Sequence, residues 1–370
     1  MVWTVLITGG AGFIGSHLAD ELLAAGYRVR ALDSLDVQVH GSGRHRPDYL
    51  DPRVELQVGD VRDPVAVAEA LQGVHAVFHF AARVGVGQSM YEMASYMDTN
   101  VHGTAVLLEQ IRQSAVERLV VASSMSIYGE GLYCTAEGRL VETKRSLARL
   151  RQGKWEAIGP QGETLEPLPT PESKRPSLAS VYALSKMDQE RLCLLFGESY
   201  DVPAVALRFF NTYGERQALS NPYTGVLAIF GSRLLNARPP LLFEDGRQRR
   251  DFVHVRDVAR ACRLALETPA AAGQCFNVGS GQSISVLELA RAIARVMGRD
   301  IAPEVTGEYR TGDIRHCFAD ISKVREVLGF TPQIPLEQGL EELAQWLPTQ
   351  QAVDRVDQAR RELIARRLAV

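Results

Sequence analysis

Tyr182 and Lys186 stand four residues apart in Tyr182-Ala183-Leu184-Ser185-Lys186. On a helix that spacing sets a phenol and an ammonium one above the other. The ammonium favours the phenolate and draws its pKa down from a reference of about 10, so the tyrosine could exchange a proton with a substrate hydroxyl. Alone, such a pair is commonplace on a solvated helix face. It gains meaning from two other segments. Leu119-Val120-Val121-Ala122 runs into Ser123-Ser124, which delivers hydroxyls to a strand end. Gly9-Gly10-Ala11-Gly12-Phe13-Ile14-Gly15 follows an apolar run directly and opens a helix. Glycines at 9, 12 and 15 permit a tight turn, close approach of a pyrophosphate, and close helix–strand packing. The helix N-terminus then faces the phosphates with unpaired N–H groups. Asp33 ends the next strand, where a carboxylate accepts from adenosine ribose hydroxyls and repels a 2′-phosphate. NAD is therefore the expected cofactor, with Arg28 and Arg44 close enough in sequence to leave NADP as an alternative.

The elements that must position these groups are legible as apolar runs. Val2–Thr8, Tyr27–Asp33, Val54–Val58, Ala76–Phe80, Arg118–Ser123 and Ala204–Phe209 read as strands. Helical patterns lie between them over Ile14–Ala25, Pro64–Leu71, Thr99–Ser114 and Val181–Phe196. This alternation predicts an α/β fold, a Rossmann-type doubly wound parallel sheet, with ligands at the carboxyl ends of its strands. Residues 1–210 are expected to form the dinucleotide-binding domain. Residues 211–346 are expected to form a smaller mixed α/β substrate lobe, with the chain crossing back between the two. Helices are expected there over Gly225–Asn236, Val255–Glu267 and Val286–Met297. The charged tail, 347–370, carries a helical pattern over Ala352–Leu368 that suits a surface or oligomer-contact helix. Residues 130–177 are polar and rich in Gly and Pro. They read as an insertion with little regular structure, placed to act as a lid.

Composition narrows the class. The 370 residues are 46% hydrophobic and 23% charged with a net charge of −3, ordinary globular values that give no footprint for nucleic acid. Five scattered cysteines without CxxC spacing indicate neither a disulfide framework nor a zinc site, and suit a reducing cytoplasm. No metal is expected. The apolar start has no basic leading region and is broken by glycines after Thr8, so no secretory signal is expected. No apolar run is long enough to span a membrane.

Further motifs follow in order: GDVRD at 59–63, FHFAA at 78–82, SSMSIYG at 123–129, RFFN at 208–211, RRDFVHVRDV at 249–258, FNVGSG at 276–281 and RTGD at 310–313. With GGAGFIG, YALSK and the helix of Asn100, they resemble the NAD-dependent epimerase/dehydratase family over residues 1–346, outside the insertion. These are extended short-chain dehydrogenases that act on nucleotide sugars. The resemblance implies Tyr182 as acid/base, Lys186 on the nicotinamide ribose and Ser124 on the reacting sugar oxygen. It implies a cofactor site that also takes in Asp60 and Val61 at the adenine, Phe80, Ala81 and Ala82 along the channel, Ser123, and Asn100 in support of the tyrosine. For the substrate it implies Ser126, Asn211, Val226, Phe243 stacked on a pyrimidine, Arg250 and Arg310 on the diphosphate, and Asp313 either on a ribose or paired with Arg310. It also implies a homodimer paired through the helices of Asn100 and Tyr182.

Met125 and Ser126 follow Ser124 where the family's dehydratases carry an Asp-Glu pair. A thioether cannot protonate a leaving hydroxyl and serine is a poor base, so redox chemistry without elimination is expected. SSMSIYGEGLY, SVYALSKMDQERLC, RQALSNPYTGVLAIF and YRTGDIRHCFADI are most similar to the dTDP-L-rhamnose 4-epimerase group. UDP-glucose/galactose-type 4-epimerisation and NAD(P)H-dependent 4-ketoreduction are the alternatives. One departure stands out: the chain between Ser124 and Tyr182 is roughly twice as long as in typical members, and the excess lies in the insertion.

Overall fold

The computed structural model describes residues 2–223 and 225–369. Its centre is a seven-stranded parallel sheet. The first five strands in chain order are β1 (Thr4–Thr8), β2 (Arg28–Asp33), β3 (Glu55–Val58), β4 (Ala76–His79) and β5 (Arg118–Ser124). In space the order is β3, β2, β1, β4, β5, Ala204–Phe209, Cys275–Val278. The winding reverses between β1 and β4, and the carboxyl ends of those strands open the crevice where ligands of such sheets bind.

Both faces of the inner strands are covered, which is why β1, β4 and β5 are near-continuously apolar rather than alternating. On one face Val5, Ile7, Phe78 and Val120 pack with Leu18 and Leu22 of helix Phe13–Ala24 and with Val258 and Cys262 of helix Val255–Glu267. On the other, Leu6, Val77, Leu119 and Val121 pack with Val67, Leu107, Ile111 and Cys193. A separate core around Tyr213, Leu227, Phe230, Leu289, Ile293 and Leu340 holds the substrate lobe together. The chain returns from that lobe as strand Cys275–Val278, which completes the sheet edge beside Ala204–Phe209.

Three segments sharpen the sequence expectation. The helix expected over Thr99–Ser114 starts earlier, at Met93, and contains a π-helical turn over Asp98–His102 before continuing as Gly103–Ile111. Such turns shift the side-chain register within a helix and are frequent at functional sites. Here the turn carries Asn100. The insertion has few regular residues, as expected, but it is folded: Leu132–Cys134, Leu140–Val141 and Glu166–Leu168 form a three-stranded antiparallel sheet over a small core of Tyr133, Val141, Ala157 and Leu165. Its strands are two or three residues long, too short to leave a period in the sequence. The tail forms helix Val356–Ala365 and folds back on the same chain. The Leu368 carbonyl accepts from the Thr311 N–H (2.8 Å), and Arg360 pairs with Glu308.

Candidate active site

A cavity of about 510 Å³ lies along the crevice, within the size range of small-molecule sites. Its walls include Gly9, Gly12, Phe13, Ile14, Gly15, Asp33, Asp60, Val61, Phe80, Ala81, Ala82, Ser123, Ser124, Tyr182, Lys186, Asn211 and Val226. Three further sequence-selected groups, Asn100, Ser126 and the set Phe243, Arg250, Arg310 and Asp313, are not on that wall.

At one end the glycine loop turns directly beneath the cavity. Gly9 adopts a φ of +71°, and a Cβ there would press on the Phe80–Ala81 backbone at 3.0–3.2 Å. A Cβ on Gly15 would meet the Gly9 carbonyl oxygen at 2.3 Å and the Gly10 Cα at 2.8 Å. Both obstacles are backbone, so they cannot rotate away. Helix Phe13–Ala24 has no side-chain cap at Gly12, which leaves its first N–H groups for an anion. The Asp33 carboxylate sits beside the loop, accepting from the Ala11 N–H (3.0 Å) and the Leu35 N–H (2.9 Å). The donor set therefore fits a dinucleotide: backbone N–H groups for a pyrophosphate and a carboxylate for a ribose. Gly15→Ala should force the loop apart, and the protein should be recovered without nucleotide. Stoichiometric NAD in that purified variant, read by chromatography of the denatured supernatant, would contradict this geometry.

At the other end, Ser124 closes β5 and Tyr182 enters from helix Val181–Tyr200. Ser180 caps that helix through the Ala183 N–H (3.1 Å), and Ser89 accepts from the Tyr182 N–H (3.0 Å). Burial raises the phenol's pKa, and the hydrogen bond from Ser124 opposes the rise. Burial also pushes Lys186 down to about 8. The sequence expectation, a phenol lowered by the lysine, is thus not met by these side chains alone: the 3%-exposed ammonium donates to Gln189 Oε1 (2.8 Å). Gln189 in turn reaches His79 Nε2 (3.1 Å) and Thr104 Oγ1 (3.0 Å). It anchors the lysine to the sheet. Its position one turn beyond Lys186 on the same helix face was the available signal.

Ser126 stands behind Ser124 rather than in the cavity. Its hydroxyl and N–H both donate to Ser124 Oγ, at 2.9 and 3.2 Å, which leaves the Ser124 proton free to point outward. Met125 is packed in the core. Ser123 lines the wall, but its hydroxyl turns inward to Glu190 (2.6 Å). Asn100 is fully buried and does not reach the cavity. It accepts from the Arg83 N–H (2.7 Å) and donates to the Arg83 carbonyl (3.0 Å) and to Ser185 Oγ (2.9 Å), tying the loop after β4 to the helix of Tyr182. The carboxylates on the cavity wall, among the described residues, are Asp33, Asp36 and Asp60, all on the glycine-loop side.

Phe243, Arg250, Arg310 and Asp313 form their own cluster. The Arg310 guanidinium lies 4.5 Å from the Phe243 ring centre and pairs with Asp313 at 2.7 Å. Despite burial, Arg310 and Arg250 hold Asp313 at about 2. Arg250 donates to the carbonyls of Arg249, Ile314 and Arg315. Its guanidinium is thus shared between those carbonyls and the Asp313 carboxylate (3.5 Å), a use that an arginine in a motif does not reveal. Sequence reading also missed a side-chain amide bridge across the crevice. Gln38 Nε2 donates to Gln88 Oε1 (3.0 Å) and to Asn221 Oδ1 (3.1 Å). Near it, Tyr91 and Tyr223 hydroxyls lie 2.6 Å apart, and both approach Glu362 of the tail helix.

Three histidines around this site are buried and neutral. Burial, then Arg216, pushes His17 down to about 3; burial, then Lys186, does the same for His79; burial, then Arg256, takes His254 to about 4. Below the unfolded value near 6.5 the unfolded chain binds the extra protons, so their stability contribution is complete above that pH and is lost as pH falls toward 4. The loss is on the order of 2 kcal/mol per histidine by pH 5. Urea midpoints should fall clearly between pH 7 and pH 5, and a flat profile would contradict it.

Known proteins resemble this chain along nearly its whole length. The profile of the NAD dependent epimerase/dehydratase family matches residues 5–279. The dTDP-L-rhamnose 4-epimerase of Burkholderia thailandensis is 37% identical over 354 residues, spanning 93% of this chain and 94% of that protein. A putative UDP-glucose 4-epimerase of Methanocaldococcus jannaschii is 31% identical over 93% of this chain and 98% of its own. Among solved structures, the UDP-glucose 4-epimerase of Thermotoga maritima with UDP-glucose superposes with a TM-score of 0.77 at 30% identity, covering 94% and 99% of the two chains. The Thermus thermophilus UDP-glucose 4-epimerase complex with NAD gives 0.75 at 31%, covering 93% and 99%. With the glycine loop, Asp33, and the Ser124, Tyr182 and Lys186 constellation around one crevice, these likenesses lead to one conclusion: the chain belongs to the NAD dependent epimerase/dehydratase family.

Proposed function

We propose that the protein is a nucleotide-sugar 4-epimerase acting on dTDP-L-rhamnose or a closely related dTDP- or UDP-hexose. The observation that carries this reading is the sugar end of the cavity, where a phenol and a serine hydroxyl stand together with no carboxylate beside them among the described residues. Proton exchange at a hydroxyl is possible there, whereas elimination of water has no acid to assist it. The 37% identity to a dTDP-L-rhamnose 4-epimerase favours the deoxyhexose, and the UDP-sugar epimerases nearby keep the hexose alternative alive.

NAD, when bound, supplies the acceptor for the C4 hydride and returns that hydride, so no second substrate is consumed. The chain's own groups handle the proton. Ser124, primed by Ser126, hydrogen-bonds the 4-oxygen. Tyr182 takes the 4-hydroxyl proton as the 4-keto sugar forms and gives it back when the opposite face is reduced. Lys186, held by Gln189, keeps a positive charge near the phenolate and the ribose. Apolar Val84, Phe80 and Val226 on the wall suit a sugar that must turn over without gripping contacts.

The test is a panel of dTDP- and UDP-sugars incubated without added cofactor, with C4 configuration read by NMR. Inversion of one sugar supports the reading. Turnover only with stoichiometric NAD(P)H consumption would instead identify a 4-ketoreductase. The same reading pairs two copies through the helices of Asn100 and Tyr182, where Met93, Leu184 and Leu195 are exposed. A monomer in sedimentation equilibrium would rule that out.

A further inference from the structure

The insertion that sets this chain apart carries Arg145, whose side chain is only 5% exposed. Besides a bond to the Trp155 carbonyl within the insertion (3.3 Å), its guanidinium makes three directed contacts. Nε donates to Glu130 (2.7 Å), Nη1 to Glu244 (2.6 Å) and Nη2 to the Asp313 carbonyl (2.8 Å). A second arginine, Arg315, completes the arrangement from the other side, donating to Glu244 (3.0 Å), Asp245 (2.6 Å) and Glu156 of the insertion (3.0 Å). Glu130 also accepts from the Arg315 N–H (2.9 Å), and His316 meets Glu156 at 3.0 Å.

Glu244, at the centre, adopts a φ of +54° and is 1% exposed. A glutamate in that left-handed region is strained and persists only where its surroundings over-determine it. Two buried arginines, one on each carboxylate oxygen, do so here. The residue just before it is Phe243, and the carbonyl held by Arg145 belongs to Asp313, the partner of Arg310. The two segments that carry the Phe243 ring and the Arg310 guanidinium are thus fixed to each other through a residue of the insertion.

We propose that Arg145 is a positioning residue for the nucleotide end of the substrate, and that the insertion serves as a brace rather than a lid. Arg145 need not touch the substrate. It fixes the segment of the Phe243 ring to the segment of the Arg310–Asp313 pair, so that a nucleoside diphosphate can engage both, base to ring and phosphate to guanidinium. The inference rests on the nucleotide-sugar reading above.

The experiment measures binding of free dTDP and UDP by calorimetry, together with KM, kcat and NAD content, for wild type, Arg145→Met, Arg145→Lys and Glu156→Gln. Arg145→Met is expected to weaken nucleotide binding tenfold or more and to raise KM by a similar factor, with a smaller change in kcat and one NAD per chain retained. Arg145→Lys keeps the charge without the fork and should recover part of the loss. Glu156 lies at the half-exposed edge of the cluster, so Glu156→Gln keeps the question answerable if Arg145→Met does not fold; it should weaken nucleotide binding severalfold. Folded variants that bind nucleotide as wild type does would overturn the inference while leaving the nucleotide-sugar reading intact. A wild type that binds neither dTDP nor UDP overturns both.

Discussion

Tyr182→Phe should fold, keep its NAD and lose turnover by a factor of roughly 100 to 10,000, the usual scale of a lost proton-transfer group. The phenol contributes no hydrogen bond on which the fold depends; its partner in the site is Ser124, which retains both donors from Ser126. The fold should therefore tolerate the change, and only the proton exchange is removed. Circular dichroism, bound-nucleotide analysis and initial rates on the sugar that responds in the panel would check the three parts separately. Near-normal rates would mean that another group handles the 4-hydroxyl proton, and the assignment of Tyr182 as acid/base would fall.

The second large effect is on stability. Glu190, on the same helix as Tyr182, is 1% exposed and forms a two-pronged ion pair with Arg208 of strand Ala204–Phe209, at 2.6 and 3.0 Å. Arg208 also donates to the Tyr128 hydroxyl (2.8 Å), which donates to Asn277 (2.7 Å) on the edge strand. Burying two charges is costly, but leaving one of them alone is costlier. Glu190→Ala should lower stability by about 3–5 kcal/mol, the range for breaking a buried pair. Glu190→Leu with Arg208→Met should recover much of that loss, because no orphan charge remains. A double-mutant cycle in urea decides it. A coupling near zero would mean that the pair does not join the helix to the sheet.

The sheet and its cofactor loop were legible because long apolar runs, glycine spacing and a terminal aspartate are all local signals. Tyr182, Lys186 and Ser124 were legible for the same reason. What the sequence hid was carried by contacts distant along the chain. Asn100, grouped with the cofactor site and read as support for the tyrosine, reaches only the tyrosine's helix: a π-helical turn directs it between Arg83 and Ser185. Arg250, read as a phosphate ligand, is engaged in this structure by backbone carbonyls and by Asp313, contacts that no local motif announces. The insertion read as loose because its strands are very short and its order comes from Glu130, Arg145, Glu156, Glu244 and Arg315, which no periodicity connects.

Strand Cys275–Val278 joins the sheet only after the chain has built much of the substrate lobe, and helix Val255–Glu267 packs against Phe13–Ala24 on the way. The two halves are consequently interlaced rather than modular. A recombination experiment that grafts a relative's sugar-recognising half onto residues 1–210 would strip a strand and a covering helix from the recipient. Crossovers that carry residues 255–281 along with the first 210 should give folded hybrids, and cuts that ignore this boundary should give insoluble ones.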